Sequence, residues 1–256
     1  MILDTIYRNG VNRVWGEDTQ SQREYLKVVS QCRGMDFIDF ESIHSIFIPN
    51  DNYLFQYFDS SIGNQEFGFF DYDNRCFWNN CLIMPIYDVA DKVRSVVGFN
   101  PFSYVQAKET NDWSINYYTY ASAKVFRRGA FLFYCEGDYS KALDDGYLFL
   151  TDGVFDAVSL HFAGFNAAAM MGSNVTPEII SMLRLVRRVL VVCDNDEAGY
   201  KLVQSLRRVH PGIVTVKQGA TKDIDEVLKS ECRDQAIAGL RAAISGSEST
   251  ITLSVR

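Results

Sequence analysis

From residue 147 onward the chain repeats one pattern three times: a short apolar run, a pair of carboxylates, then a helix-like segment. The run at 148–150 leads into Thr151-Asp152-Gly153-Val154-Phe155-Asp156. The run at 189–193 leads into Asp194-Asn195-Asp196-Glu197-Ala198-Gly199, and that at 213–216 precedes Lys222-Asp223-Ile224-Asp225-Glu226. Apolar runs of this length that alternate with helices are the mark of a parallel sheet built from βαβ units, buried on both faces. Open sheets of that kind bind ligands beyond the carboxyl ends of their strands, so all three carboxylate pairs are expected at one edge. A single Asp-x-Asp before a helix is more often a cap plus a first-turn acid that favours the helix dipole. Three successive pairs exceed what capping requires. Clustered carboxylate oxygens suit a hard divalent cation such as Mg²⁺, which keeps water ligands that a substrate can displace.

The rest of the chain reads at coarser grain. Residues 18–32 have helical periodicity, with Thr19 or Ser21 as cap and Gly34 beyond the end, and a second short helix is expected over 39–46. The stretch 53–134 is rich in Phe, Tyr, Val and Ile and broken by Gly63, Gly68, Pro85, Gly98 and Pro101, which predicts short mixed or antiparallel strands. Further on, 156–163 reads as a helix closed by Gly164, and Thr176-Pro177-Glu178 gives a cap, a first-position proline and an early acid. Residues 234–244 form an Ala-rich helical pattern, and 245–250 read as a polar linker or frayed end.

Composition narrows the function classes. With 256 residues and 47% hydrophobic content the chain can bury a core, and no apolar run approaches the length of a membrane span. The expectation is a cytoplasmic protein without membrane contact. The 6 cysteines (Cys32, Cys76, Cys81, Cys135, Cys193 and Cys232) include no Cys-x-x-Cys pair. With only 3 histidines (His44, His161 and His210), none at finger spacing, the expectation is reduced, mostly buried thiols and no structural zinc site. The histidines read as packing or surface residues. A net charge of −7 opposes simple phosphate binding, although the paired carboxylates carry six of the negative charges and a metal would offset them. Lys124, Arg127 and Arg128 form a separate basic cluster beside Tyr117-Tyr118-Thr119-Tyr120. That mixture fits either a groove for single-stranded nucleic acid or a solvated loop beside sheet-packing tyrosines.

The three acidic segments resemble the Toprim domain of bacterial and phage primases, topoisomerases and some nucleases: Asp-Gly-x-x-Asp at 152–156, Asp-x-Asp-x-Ala-Gly at 194–199 and Asp-x-Asp at 223–225. Upstream, Leu82-Ile83-Met84-Pro85-Ile86-Tyr87-Asp88, then Val93 through Val97-Gly98-Phe99, then Phe126-Arg127-Arg128-Gly129 are similar in order and spacing to the segments preceding the Toprim fold in DnaG-type primases. Arg23-Glu24-Tyr25-Leu26 through Phe58 resembles that family's N-terminal helical subdomain. The resemblance covers residues 20–230. It implies an α/β fold, with a Toprim-type parallel sheet flanked by helices and preceded by a smaller α+β subdomain. The division expected is 1–140, 141–232 for the Toprim domain, and 233–256 for a C-terminal helix and tail.

The activity so implied is synthesis of short RNA primers on single-stranded DNA from ribonucleoside triphosphates, with Mg²⁺ or Mn²⁺. The resemblance assigns Asp152, Asp156, Asp194 and Asp196 to catalysis, and Asp152, Asp194, Asp196, Asp223 and Asp225 to the metal. Lys124, Arg127, Arg128, Asn116 and Tyr118 are the implied nucleic-acid and nucleotide contacts. Three positions depart from the family, among them Asn100 to Phe102, where it carries a basic residue after the Gly-Phe motif. It also has glutamate where Asp152 stands, one methylene longer, and lysine where Asn116 stands. No zinc-binding module precedes residue 20 and no Gly-x-x-x-x-Gly-Lys-[Ser/Thr] loop follows. A replicative helicase or a separate zinc-binding initiation factor is therefore an expected partner, and a phage origin is expected. The same carboxylates also suit a Toprim nuclease that activates water, and the changes at Asp152 and Asn116 suit a non-catalytic replication module.

Overall fold

The computed structural model describes residues 2–59, 68–69, 76, 78–172, 174–192, 197–217, 224–246 and 250–253. The chain divides into two compact units, Met1–Arg127 and Arg128–Arg256.

The first unit opens with three helices, α1 (Ile2–Glu17), α2 (Thr19–Arg33) and α3 (Phe37–Ser42). There follow β1 (Ile46–Ile48), α4 (Asp51–Tyr57), the hairpin β2 (Cys81–Tyr87) and β3 (Val93–Phe99), then α5 (Pro101–Thr110) and β4 (Tyr118–Tyr120). The four strands form an antiparallel sheet in the order β1-β2-β3-β4, with Leu82 opposite Phe99 and Tyr87 opposite Val93. Tyr7, Val11, Val14 and Trp15 recur at helical spacing and are the buried face of α1. Gly10 is required there, because a Cβ would strike the Phe58 ring. Gly98 plays the same part on β3, where an added Cβ would lie 2.7 Å from Cε3 of the buried Trp78. Gln22 is fully buried on α2 and satisfied: its amide donates to Phe47 O (2.9 Å) and Tyr53 Oη (2.8 Å) and accepts from Phe47 N (2.8 Å).

Helices α1, α4 and α5 were not expected. In α5 the cause is local: Asn100 caps the amides of Phe102 and Ser103, and Pro101 occupies the first turn, so a helix interrupts the aromatic-rich strands. The cap of α2 is Asp18 rather than Thr19 or Ser21, and Gly34 closes the helix in the left-handed region as expected.

Asp4 joins α1 to the hairpin. Its Oδ1 accepts from Val93 N (3.0 Å) and Arg8 Nε (2.8 Å), and Lys92 stands 3.7 Å from Oδ2. Burial raises this carboxyl's pKa, but the Val93 amide, Arg8 and Lys92 together outweigh burial and hold it below the ordinary carboxylate range. Asp4→Ala should cost about 2 kcal/mol by stranding the Val93 amide. Urea unfolding at neutral pH should show that loss. The carboxylate's contribution is complete above the ordinary range and vanishes as pH falls through the depressed value, so the gap between wild type and variant should close on acidification.

The second unit begins with a 3₁₀ turn at Arg128–Ala130 and continues through β5 (Leu132–Phe133), α6 (Asp138–Asp145), β6 (Tyr147–Thr151), α7 (Val154–Phe162) and β7 (Ala167–Met170). The alternation runs on through α8 (Pro177–Leu183), β8 (Arg188–Val192), α9 (Glu197–Arg207), β9 (Ile213–Lys217), α10 (Ile224–Lys229), α11 (Arg233–Ser245) and β10 (Thr250–Thr252). The sheet order is β10-β9-β8-β6-β7-β5, parallel except where β5 meets β7. Leu148, Phe149, Leu150, Val189, Leu190 and Val191 are wholly buried, as expected of central parallel strands. Gly164 takes φ 85° after α7, and Thr176 accepts from Ile179 N at the start of α8, both at the positions expected.

This unit starts earlier than the expected 140/141 division because β5 is hydrogen-bonded to β7. It also takes in the C-terminal residues expected to form a separate tail, since β10 pairs with β9 in parallel and Leu253 N donates to Lys217 O (2.8 Å). Among the described residues no helix is long and apolar enough to cross a membrane.

Candidate functional site

The carboxylate edge is built by strand register. Thr151 on β6 is level with Val192 on β8, and Val192 is level with Val216 on β9, so the chain leaves all three strands at one edge of the sheet. Thr151 is buried, and its hydroxyl donates to Gly153 O (2.8 Å), fixing the turn from β6 into α7. Asp152 follows the strand directly and is exposed.

Gly153 precedes α7 with φ −101° and ψ 137°, a conformation open to any residue. Its lack of a side chain still matters. A Cβ at this position would meet Oδ2 of Asp156, which folds back over the turn from the first turn of α7. The other oxygen of Asp156 accepts from Asp225 N (3.3 Å), so this carboxylate also faces the first turn of α10, where the helix dipole favours negative charge. Asp225 is 4% exposed. Its Oδ1 accepts from Ser159 Oγ and pairs with Lys229 Nζ. Asp156, Ser159, Asp225 and Lys229 thus form one polar chain binding α7 to α10, with Asp152 on the open side.

The structure therefore gathers Asp152, Asp156 and Asp225 at the predicted edge and gives them different surroundings. Asp194, Asp196 and Asp223 lie outside the described residues. Ser159 and Lys229 were not singled out from the sequence. The available signals were Ser three positions after Asp156 and Lys four positions after Asp225, the spacing of neighbours on one helical face. The donors of the edge are carboxylate oxygens, and the space that a Cβ at Gly153 would fill is kept free for one of them, an arrangement that fits a hard divalent cation.

The other predicted residues are divided between the units. Asn116 is exposed, with Oδ1 accepting from Tyr118 N (3.3 Å) in a short polar turn. Tyr118 is half-buried on β4, its ring 5.8 Å from that of Phe99 and 5.2 Å from that of Tyr117. Tyr104 and Trp113 extend the same cluster, and the Arg33 guanidinium lies 4.2 Å from the Tyr104 ring centroid. These tyrosines pack the first unit's sheet. Lys124 and Arg127 are exposed on that unit, and Arg128, also exposed, opens the second.

A largely parallel sheet with an acidic edge follows a four-stranded antiparallel α+β unit, the architecture that the sequence resemblance implies. Residues 149–228 match the family model described as Toprim-like. The particular resemblance is to DnaG primase catalytic cores. The chain overlays the RNA polymerase domain of Mycobacterium tuberculosis primase DnaG with a TM-score of 0.70 at 16% identity, over 94% of this chain and 82% of that one. It also overlays a DnaG primase catalytic domain with a TM-score of 0.62 at 18% identity, over 89% and 77% of the two chains. In sequence it is 27% identical over 180 residues to the DNA primase of Mycoplasma genitalium, a match covering 68% of this chain and 27% of that protein. The chain thus matches about a quarter of that relative's length, and the fold it shares is that of the primase catalytic core.

Proposed function

We propose that the chain is a DNA primase catalytic core that joins ribonucleotides into short primers on a single-stranded DNA template. The observation that carries this is the carboxylate edge of the second unit, in a fold that matches primase cores over both units. The DnaG catalytic domain overlaid above is bound to single-stranded DNA, which supports the same class of template here.

Asp152, Asp194, Asp196 and Asp223 would hold Mg²⁺ or Mn²⁺. A cation held there would supply charge neutralisation of the triphosphate and a lowered pKa for the attacking 3′-hydroxyl. Asp152, exposed at the strand end, would accept that proton. Asp156 and Asp225 were expected as catalytic residue and ligand. Their hydrogen bonds suit them to positioning: Asp156 orients the turn that carries Asp152, and Asp225 keeps α10 on α7. Lys124, Arg127 and Arg128 supply phosphate contacts. A helicase or a zinc-binding initiation factor would complete the machinery.

The test is incubation of the purified protein with single-stranded DNA, labelled ribonucleotides and Mg²⁺ or Mn²⁺. New short products support the proposal. A shortened template would identify a nuclease, and silence even with a replicative helicase supplied would identify a non-catalytic module. Within the same assay, Asp152→Glu should preserve or raise synthesis by restoring the longer reach, and Asp152→Ala should abolish it. Undiminished activity in Asp152→Ala would remove this carboxylate from the chemistry.

A further inference from the structure

At the edge of the second unit's sheet opposite the carboxylates, three donors converge that the proposed reaction does not use. Cys135-Glu136-Gly137-Asp138 is a tight turn closed by Asp138 N donating to Cys135 O (3.0 Å), with Gly137 at φ 84° and ψ −14°. That φ is the left-handed value needed at the third position of a type II turn, which only glycine takes without cost. The turn spaces Cys135 and Asp138 as the paired ligands of a zinc knuckle are spaced. His161, near the end of α7, brings its ring to the same point. One atom each of Cys135, Asp138 and His161 lies within 4.8 Å of the others. Asp138 also accepts from Ala167 N (3.4 Å), the first residue of β7, whereas Asp152 lies past the last residue of β6. The two groups therefore sit at opposite ends of neighbouring parallel strands.

From this geometry we infer a second metal site, formed by Cys135 Sγ, an Asp138 carboxylate oxygen and a His161 ring nitrogen, that takes Zn²⁺ or a similar borderline-soft divalent cation. A thiolate and an imidazole select such an ion over Mg²⁺, the reverse of the all-oxygen carboxylate edge. His161 Nδ1 lies 2.9 and 3.0 Å from the two Asp138 oxygens. Ligands of a tetrahedral ion are separated by little more than this, so a slight opening of the pair admits the cation. Cys135 and Asp138 are buried and His161 is half-buried, so ions enter from the imidazole side and water takes the fourth position. On binding, the Sγ–H bond breaks, its proton passes to solvent, and a metal–sulfur bond forms. Burial pushes both the Cys135 thiol and the Asp138 carboxyl upward in pKa, a desolvation cost that a bound cation would offset. The bound ion would staple α6 to α7 at the foot of the sheet. This inference is independent of the proposed nucleotidyl transfer.

The test uses chelator-stripped full-length protein with excess Mg²⁺ to fill the oxygen sites, titrated with Co²⁺ and followed by absorbance. A thiolate-to-cobalt charge-transfer band should appear, and Zn²⁺ should bleach it. Cys135→Ser should abolish the band, and His161→Gln should weaken Zn²⁺ affinity by more than the roughly 10- to 100-fold that loss of an outer-sphere partner costs. Cys193→Ser, one residue beyond β8 in the sequence, should retain the band. The inference fails if wild type shows no such band, if the band survives Cys135→Ser, or if Cys193→Ser removes it. In the first case Asp138 and His161 are a hydrogen-bonded tie and Cys135 a packing residue.

Discussion

Asp194→Asn combined with Asp196→Asn should eliminate primer synthesis, by at least on the order of 10³-fold, while leaving the protein folded. Groups that stabilise transition-state charge in a preorganised site typically carry factors of this size singly. In the proposed site these two charges add to those of Asp152, Asp156 and Asp225, so removing them would relieve repulsion and the metal-free protein should melt no lower than wild type. Calorimetric titration with Mn²⁺ should show binding at the edge lost in the double variant. A sharp fall in the metal-free melting temperature would mean instead that these residues cap helices and hold the fold.

Gly153→Ala should be nearly as severe by a different route. The backbone there is ordinary for alanine, so the folding loss should be confined to that of one part-buried hydrogen bond, about 2 kcal/mol. The new Cβ meets Asp156 Oδ2, however, so the carboxylate must swing away and give up the Asp225 amide. Shifting a positioning group by about 1 Å can cost on the order of 10²-fold in rate. Activity should therefore collapse in a protein that still folds and melts cooperatively. Retention of activity would show that the Asp156 carboxylate does not set the geometry of the edge.

The second unit was legible in the sequence for a physical reason. Central parallel strands are buried on both faces, so β6, β8 and β9 appear as unbroken apolar runs, and the acids stand at their ends. Thr176-Pro177 and Gly164 marked helix ends because caps and left-handed closures depend on residue type alone. α1 was hidden because Asn9, Gly10 and Asn12 interrupt its helical propensity, and its formation rests on tertiary burial of Tyr7, Val11, Val14 and Trp15. β5 and β10 have 2 and 3 residues and exist only through their partners β7 and β9. At the site, spacing placed Asp225 at the right edge, but an Asp in the first turn of a helix reads the same whether it faces solvent or accepts from Ser159 and Lys229. Likewise, the joining of Cys135 and Asp138 to His161 depends on how α6 and α7 pack, which periodicity along one chain does not encode.

The most direct measurement is the fate of label in the product. In template-directed initiation the first nucleotide keeps its triphosphate and each later one loses pyrophosphate. Short products made on single-stranded DNA should therefore retain γ-phosphate label from the initiating nucleotide, and alkali should destroy them as RNA. They should be absent from the Asp194→Asn, Asp196→Asn variant. Products without γ-label, or label recovered only in fragments of the template, would contradict nucleotidyl transfer at the carboxylate edge.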